Sequence, residues 1–411
     1  MLDSSFAPSL VAPMAGRAAP LWARWNGELD QRYTLGVEEE LMLLAPGSWS
    51  LAESSDDVVA RLPDDLALHT STETHAAVLE LITGVHPDVN GVMGELQTLR
   101  QRLSRALRPM GVTAAAAGTP PLTHGTPTKV SGAARYRLLE ESMRVLARRE
   151  PTMALHLHVG VPHPDDAVRL LNALRRSAPI LLALSANSPF SQGRDGGFAS
   201  ARTLIFQAFP RTGLPRVYTD YADYVDAVDA VISSGAIPDP SFLWWDMRLQ
   251  PALGTVEVRI MDAQTTLGDT AALVALVQSL ARLELEGDIS TAEPGAEVLA
   301  ENRFLAARDG MDARLIDPAA NRLVPVRDLL EAMLEHCRPH ALALGCGPEL
   351  ERVRHLAANN GADRQRALAA RDGTLDHLPA RLAYRFLTPY VREGKPGRDR
   401  LSARPVREGV R

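Results

Sequence analysis

Lysine and cysteine are both scarce in this chain of 411 residues. The 44 basic residues include only two lysines, Lys129 and Lys395, and the sequence has neither a Gly-x-x-x-x-Gly-Lys nor a Gly-x-Gly-x-x-Gly fingerprint. Nucleotide folds that depend on a phosphate-binding lysine therefore lack support. The two cysteines, Cys337 and Cys346, stand nine residues apart. This spacing matches neither a Cys-x-x-Cys motif nor a disulfide framework, so we expect free thiols in a reducing cytoplasm.

Long apolar runs and basic clusters are also missing. No stretch approaches the roughly 18 apolar residues that a membrane span requires. The net charge is −6 without a basic patch, which argues against nucleic-acid binding because such binding requires clustered phosphate-neutralising side chains. Residues 1–32 lack the basic start and apolar centre of a signal peptide, so we expect a flexible extension, with a second flexible tail at 390–411. No linker divides residues 33–389, which predicts one continuous domain.

Three short runs alternate polar with aliphatic side chains. Their polar members are Glu38 with Glu40, His156 with His158, and Glu257 with Arg259. On a β-strand, residues two apart point to the same face, so each pair shares a face. Parallel strands covered on both faces usually appear as unbroken apolar runs instead. The alternation predicts an α+β fold with a largely antiparallel sheet, helices on its aliphatic face and the polar face open as the floor of a cleft.

Periodicity outlines the remaining elements. Helical spacing of apolar residues predicts helices over 89–108, 135–149, 164–172, 199–209, 221–232, 270–284, 296–307, 326–345 and 348–370. The strand that carries Glu38 and Glu40 is predicted over 34–44, and the paired histidines lie at the centre of a second strand. Two further strands are predicted near 77–84 and 112–117.

A further carboxylate lies in an unusual place. Glu80 stands between Leu79 and Leu81 in an otherwise apolar strand, where a buried carboxylate is costly without a cation or hydrogen-bond donors. Glu73 precedes it by seven residues. An odd spacing puts two residues on opposite faces of a regular strand, so we expect a bend between them.

Each of these groups has an ordinary explanation when taken alone. A single Glu-x-Glu or His-x-His is more often a solvated strand face than a metal site, and Glu257 with Arg259 could be only a structural ion pair. Together, five carboxylates and two imidazoles favour a metal site, because clustered like charges raise their own pKa values unless cations neutralise them. The predominance of carboxylate oxygens favours Mg²⁺ or Mn²⁺, although the imidazoles leave Zn²⁺ open.

Several motifs occur together in one order along residues 33–388. They are Gly36-Val-Glu-Glu-Glu, Glu73 and Glu80 followed by Leu-Ile-Thr-Gly-Val, Leu155-His-Leu-His-Val-Gly, Leu184-Ser-Ala-Asn-Ser-Pro-Phe, Ala199-Ser-Ala-Arg, Trp245-Asp-Met-Arg, Thr255-Val-Glu-Val-Arg, Glu301-Asn-Arg-Phe-Leu-Ala-Ala-Arg-Asp-Gly and Gly361-Ala-Asp-Arg-Gln-Arg. In these motifs the chain resembles the glutamate-cysteine ligase type 2 family. That family consists of ATP-dependent carboxylate-amine ligases.

The resemblance implies a fold similar to glutamine synthetase, in which an antiparallel sheet lines a funnel, and it implies roles for individual residues. Two or three Mg²⁺ or Mn²⁺ ions would be held by Glu38, Glu40, Glu73, Glu80, His156 and Glu257. Arg202 and Arg259 would be the catalytic cations. ATP would contact His158, Arg259 and Arg364, and the substrates would contact Asn187, Ser188, Arg202 and Arg248. From the residues alone, Asp246 and Arg248 could instead form an ion pair that braces the site.

The function implied is formation of an amide bond between a small, amino-acid-like carboxylate and an amine. ATP would first phosphorylate the carboxylate, and the amine would then displace phosphate from the acyl phosphate. The resemblance also suggests a homo-oligomer. Two alternatives from other classes stay open at this point: a metal-dependent hydrolase of an amide, and a catalytically inactive ATP-binding partner protein.

Overall fold

The structure, a computed structural model, describes residues 19–123, 128–287 and 293–392. Its strands are β1 Leu35–Leu44, β2 Thr70–Thr72, β3 Val78–Ile82, β4 Thr113–Ala115, β5 Ala154–Gly160, β6 Phe190–Ser191, β7 Arg194–Asp195, β8 Thr212–Gly213, β9 Trp244–Trp245, β10 Met247–Gln250, β11 Thr255–Asp262, β12 Arg314–Asp317 and β13 Arg322–Pro325. Its helices are α1 Ser55–Val59, α2 Asp64–Ala67, α3 Val89–Leu107, α4 Ala134–Met143, α5 Pro164–Ser185, α6 Ala201–Phe206, α7 Tyr221–Ser233, α8 Leu267–Glu286, α9 Ala296–Asp309, α10 Val326–Ala343, α11 Gly347–Ala358, α12 Gly361–Asp372 and α13 Leu378–Phe386. None of these helices is both long and apolar enough to cross a bilayer.

One seven-stranded sheet organises the described chain. Its order is β10-β11-β5-β1-β3-β2, and β4 also pairs with β1. Every pairing within this sheet is antiparallel, whereas the short β8 and β9 form a separate parallel pair. The predicted α+β fold with a largely antiparallel sheet is confirmed.

The two faces of the sheet differ as the alternation predicts. Val37 and Leu41 of β1 are buried toward a layer of helices that includes α3, α5 and α8. In α3 the residues at helical spacing, Val92, Leu96 and Leu99 among them, are buried. Each such leucine contributes roughly 1.5–3 kcal/mol by leaving water. The helices therefore hold one face of the sheet, and the polar residues are left on the other face.

The predicted helix over 348–370 is wrong in one respect, because the segment forms two helices. The break lies at Asn360, whose side chain accepts a hydrogen bond from the Asp363 N–H while the Asp363 carboxylate accepts one from the Asn360 N–H. This capping box begins α12. The Asn360 amide also donates to the Ala183 carbonyl at the end of α5, at 3.1 Å. A tertiary contact thus fixes the position of the break.

The first described residues pack against the sheet domain. The Trp25 indole donates to the Val161 carbonyl at 2.9 Å, the Asn26 N–H donates to the Pro251 carbonyl at 2.9 Å, and Ala23 is buried. Part of the segment that we expected to be a flexible extension, residues 23–26, therefore packs against the rest of the chain. The rest of that expectation, and nearly all of the predicted C-terminal tail, concern residues outside the described ranges. The division into a single domain over 33–389 stays a prediction.

Both cysteines are unpaired, as expected from their spacing. Cys337 and Cys346 are buried and form no disulfide. Burial raises the pKa of the Cys337 thiol to about 12, so this side chain behaves as a small apolar group rather than as a nucleophile.

Candidate active site

Strand register gathers the polar side chains of the sheet. The opposed pairs are Glu38 with His156, Glu40 with Glu80, and His158 with Glu257. Directly opposed residues of antiparallel strands project to the same face with their Cβ atoms about 5 Å apart. Four neighbouring strands, β3, β1, β5 and β11, therefore supply one continuous polar cluster.

Glu73 joins this cluster through a bend. It follows β2, and the chain turns before β3 begins at Val78, as the odd spacing to Glu80 predicts. The Thr74 N–H donates to the Glu73 carboxylate at 3.2 Å, and the Ser71 hydroxyl donates to Glu80 at 3.0 Å. Because β2 pairs with β3, the hairpin returns Glu73 to the same face as Glu80.

Three overlapping sets of side chains have the geometry of metal-binding groups. They are Glu38, Glu80 and His156; Glu38, His158 and Glu257; and Glu40, Glu73 and Glu80, each with its donor atoms within 4.8 Å of one another. The His156 Nδ1 atom lies 3.1 Å from a Glu38 carboxylate oxygen and 3.8 Å from a Glu80 oxygen. Shared members mean that ions bound to neighbouring sets would lie close together.

Three of the carboxyl groups are costly to ionise here. Burial raises the pKa of Glu40, and burial followed by the charge of Glu40 raises the pKa of Glu73 to about 7. Burial, and then the charges of Glu38, Glu73 and Glu40, holds the pKa of Glu80 well above its usual range. Bound divalent cations would offset both the cost of burying these carboxylates in ionised form and the repulsion between them. The donor set, mostly carboxylate oxygens without a thiolate, fits Mg²⁺ or Mn²⁺.

Glu257 has a different environment because arginines surround it. Arg248 contacts one carboxylate oxygen at 2.9 Å, Gln250 donates to the same oxygen at 2.7 Å, and Arg259 donates to the other oxygen. Burial alone would favour the neutral acid, but the charges of Arg248 and Arg259 outweigh burial and hold the pKa of Glu257 well below its usual range. Glu257 therefore stays ionised with or without a metal.

The ion pair considered between Asp246 and Arg248 is wrong. Asp246 instead pairs with Arg303 of α9, at 2.6 Å and 3.1 Å, while Arg248 is committed to Glu257. The spacing in sequence could not reveal Arg303, which lies 57 residues away. Gln250 was missed by the sequence interpretation, although it stands two residues after Arg248 on β10 and period-two alternation places both on one face.

The pKa values of the two histidines are shifted in opposite directions. Burial, and then the charge of Arg259, lowers the pKa of His156 to about 4, so its imidazole is neutral and has a lone pair available near neutral pH. Burial would also lower the pKa of His158, but its hydrogen bond to Glu38 and the nearby carboxylates outweigh burial and raise it. His158 is oriented from both sides, because its Nδ1 lies 3.0 Å from the Thr255 hydroxyl and its Nε2 lies 3.2 Å from Glu38.

Arg202 approaches the cluster from α6. Its two terminal nitrogens donate to the carbonyls of Ile260 and Arg259, at 3.0 Å and 3.1 Å. The Nε atoms of Arg202 and Arg259 are both buried without a hydrogen-bond partner. Buried donors without an acceptor are uncommon in folded proteins, and both of these arginines line one cavity.

Most of the cluster lines a cavity of about 300 Å³, whereas Glu257 and His158 lie behind this lining. Glutamates and arginines line part of its wall, and Phe206, Phe209 and Trp244 line another part. Helix α4 contributes Tyr136 and Leu139 to the same wall. Side chains of α4 therefore contribute to the wall of the cleft whose floor is the polar face.

Two predicted substrate-binding residues are not in this cavity. The Asn187 side chain is buried and donates to the Ala263 carbonyl at 2.7 Å, and the Ser188 hydroxyl donates to the Asp262 carboxylate at 2.6 Å. A Cβ atom at Gly361 would lie 2.1 Å from the Asn187 oxygen, so the packing around this amide is tight. Both side chains are thus hydrogen-bonded to other parts of the chain and do not belong to the cavity lining.

Arg364, predicted to contact ATP, lies elsewhere as well. It is on α12, forms an ion pair with Asp269 of α8 at 2.5 Å, and donates to the Asn359 carbonyl at 2.7 Å. It does not line the cavity. The structure thus brings together the predicted metal ligands, His158, Arg202, Arg248 and Arg259, and leaves Asn187, Ser188 and Arg364 outside.

Comparison with known proteins identifies the family. The model described as "Glutamate-cysteine ligase family 2(GCS2)" matches residues 34–394. The chain belongs to glutamate-cysteine ligase family 2. The protein named "Putative glutamate--cysteine ligase 2-1" of Rubrobacter xylanophilus is 40% identical over 343 residues, which are 83% of this chain and 91% of the relative. The protein named "Putative glutamate--cysteine ligase 2" of Sorangium cellulosum is 38% identical over 352 residues, 84% of this chain and 94% of the relative.

Solved structures support the same fold for this member of family 2. A glutamate-cysteine ligase from Francisella tularensis, in complex with AMP, superposes with a TM-score of 0.60 at 13% identity, covering 87% of this chain and 90% of that one. A bifunctional glutathione synthetase from Pasteurella multocida gives a TM-score of 0.63 at 15% identity, and the match spans 87% of this chain but 52% of that longer protein. The glutamate-cysteine ligase-like fold predicted from the motifs is confirmed, and family membership makes the protein an ATP-dependent carboxylate-amine ligase.

Proposed function

We propose that this ligase joins an amino-acid-like carboxylate to an amine through an acyl phosphate formed with ATP. The single observation that carries the proposal is the convergence of three overlapping carboxylate and imidazole groups with Arg202 and Arg259 on one cavity. Transfer of a phosphoryl group between anions requires concentrated positive charge. The carboxylates and imidazoles can bind cations there, and the two arginines add their own charge.

The residues that would hold two or three Mg²⁺ or Mn²⁺ ions are Glu38, Glu40, Glu73, Glu80, His156 and Glu257. The raised pKa values of the buried carboxyl groups support this assignment, because a cation is what such a cluster needs. When bound, the ions would offset the charge of the ATP phosphates. His158, hydrogen-bonded to Thr255, would orient Glu38 beside them.

In the first step, a substrate carboxylate oxygen attacks the γ-phosphorus of ATP. The bond from that phosphorus to the β-phosphate oxygen breaks, and ADP leaves with the electron pair. Arg202 and Arg259, which line the cavity, would stabilise the negative charge on the transferring group. Arg248 would act indirectly, because it holds Glu257 in its ionised form.

In the second step, the amine nitrogen attacks the acyl carbon. A C–N bond forms, the bond from carbon to the phosphate oxygen breaks, and phosphate leaves while the nitrogen loses a proton. Phosphorylation matters because oxide is a very poor leaving group and phosphate is a good one.

The direct test is incubation of the protein with ATP, Mg²⁺ and a mixed panel of amines and carboxylates, with mass spectrometry of the products. We expect ADP release that depends on a carboxylate, and a product whose mass equals carboxylate plus amine minus water. Cleavage of amides that requires metal but no ATP would instead indicate the hydrolase. ATP binding with no ADP release from any pair would indicate an inactive binding protein.

Metal stabilisation should depend on pH. The Glu73 pKa is raised to about 7 in the folded protein, with Glu40 and Glu80 raised as well. Without metal, the stability conferred by a protonated Glu73 is complete below its unfolded pKa and is lost as pH rises through about 7. Below pH 7 a bound ion must also displace the proton. We therefore expect Mg²⁺ to raise the melting temperature more at pH 8 than at pH 5.5.

Differential scanning fluorimetry with and without Mg²⁺ at both values measures this difference. In Glu73→Gln the rise in melting temperature caused by Mg²⁺ should differ less between pH 5.5 and pH 8, since the amide does not titrate. An equal Mg²⁺ shift at pH 5.5 and pH 8 in the parent protein would contradict the assignment of Glu73 as a ligand.

A further inference from the structure

One part of the cavity wall is aromatic. Phe206 is the last residue of α6 and Phe209 lies three residues beyond it. Their ring centroids are 5.8 Å apart, and Phe209 meets Trp244 edge to face at 6.2 Å. All three line the cavity together with Val78 and Leu139. Phe206 and Phe209 are only half-buried, so apolar surface is left for an apolar ligand to cover.

The carboxylates around the cavity are already assigned. Among the described residues, those that line it are Glu38, Glu40, Glu73 and Glu80, and each belongs to at least one candidate metal group. A substrate that reached the aromatic wall with a second ammonium group would therefore find no separate carboxylate there. Long diamines and polyamines do not match this wall.

Two of the four arginines that line the cavity, Arg135 and Arg248, are engaged with protein acceptors. Arg135 donates to the Ser241 hydroxyl at 2.6 Å, and its guanidinium lies 4.8 Å from the Phe242 ring centroid. Arg248 donates to Glu257 and to the Ser241 carbonyl, at 3.0 Å and 3.1 Å. The part of the wall formed by the phenylalanines is thus suited to a neutral apolar group and offers little to a second charged group.

We propose that one of the two condensing substrates carries an aromatic group that packs against Phe206, Phe209 and Trp244. This inference rests on the proposed ligase function and narrows its substrate class. The reacting carboxylate or amine points toward the glutamate cluster, and the apolar group points away from it. Aromatic rings pack well edge to face against such a wall.

The test measures binding apart from turnover. The protein, loaded with Mg²⁺ and a nonhydrolysable ATP analogue, is titrated calorimetrically with two pairs of probes matched in charge: phenethylamine against ethanolamine, and 3-phenylpropionate against lactate. We expect one aromatic probe to bind at least about tenfold more tightly than its polar partner, the gain typical of a well-packed ring. The pair that shows this gain reveals whether the amine or the acid carries the apolar group.

Variants of Phe209 supply the control. Phe209→Ser should remove the preference for the aromatic probe. Phe209→Leu keeps an apolar side chain at this position and should retain most of the preference, which controls for an effect of substitution on the fold. Phe304→Ser removes a partly exposed phenylalanine of α9 that does not line the cavity, and this variant should bind like the parent. Equal binding of aromatic and polar probes, no binding of either aromatic probe, or an unchanged preference in Phe209→Ser would each overturn the inference.

The two proposals can fail separately. If polar pairs support ADP release while the aromatic probes do not bind, the substrate class is wrong and the ligase function stands. If an aromatic probe binds but no pair releases ADP, the apolar pocket stands and the ligase function is wrong.

Discussion

Glu38→Gln is expected to reduce carboxylate-dependent ADP release by about 10²- to 10³-fold, the range seen when one electrostatic contact to a charged transition state is removed. Glu38 belongs to two of the three candidate metal groups. Its carboxylate also lies 3.1 Å from His156 and 3.2 Å from His158. Glutamine keeps the shape of the side chain but removes the charge that a divalent cation requires.

The measurement is a coupled assay of ADP, accompanied by titration of Mn²⁺ followed by electron paramagnetic resonance. The Mn²⁺ affinity should fall together with the rate, because the lost charge acts on the ion. Glu335→Gln makes the same chemical change on an exposed face of α10, and its rate and affinity should match the parent. Full turnover in Glu38→Gln would refute the assigned role.

Arg100→Met is expected to destabilise the fold by about 3–5 kcal/mol, the usual cost of removing one partner from a buried ion pair. Arg100 and Glu39 are both almost completely buried and meet at 2.6 Å and 2.8 Å. The other guanidinium donors reach the carbonyls of Thr265, Phe386 and Gln264, so the pair joins β1 and α3 to two distant segments. The variant leaves the Glu39 charge and three carbonyls without this partner.

Urea unfolding followed by tryptophan fluorescence measures the change in the free energy of unfolding. The double variant Glu39→Leu with Arg100→Met should recover much of the loss, because a well-packed apolar pair can replace a buried ion pair. Arg354→Met breaks an ion pair with Glu331 that is largely in water and should cost less than about 1 kcal/mol. If Arg100→Met and Arg354→Met unfold at the same urea concentration, the Glu39–Arg100 pair does not have this structural role.

The same pair explains why three consecutive glutamates have two kinds of role. Glu38 and Glu40 face the cavity, and Glu39 faces the helices, where Arg100 meets it. Alternation along β1 separates them by face from the sequence alone. The identity of the partner on α3 could not be inferred, because an arginine at a helical position has no local signal that distinguishes it from a solvated one.

How well the sequence places a predicted site residue depends on whether that residue lies in a regular strand. Those in regular strands, such as Glu38, His156 and Glu257, are brought together because a period of two fixes their face and pairing then aligns them. Those in loops or on helices divide: Glu73 and Arg202 line the cavity, whereas Asn187 and Arg364 do not. A loop has no periodicity from which the direction of a side chain can be inferred.

By itself, the sequence determined the α+β class, the antiparallel sheet, the polar face with its carboxylates and imidazoles, and the family, because strand periodicity and ordered motifs are local properties. Only the tertiary structure decided that Glu73 returns beside Glu80, that Arg248 holds Glu257 while Arg303 holds Asp246, and that Phe209 and Trp244 share one wall. Those facts depend on register and on contacts between residues far apart in the chain, which local patterns of hydrophobicity do not encode.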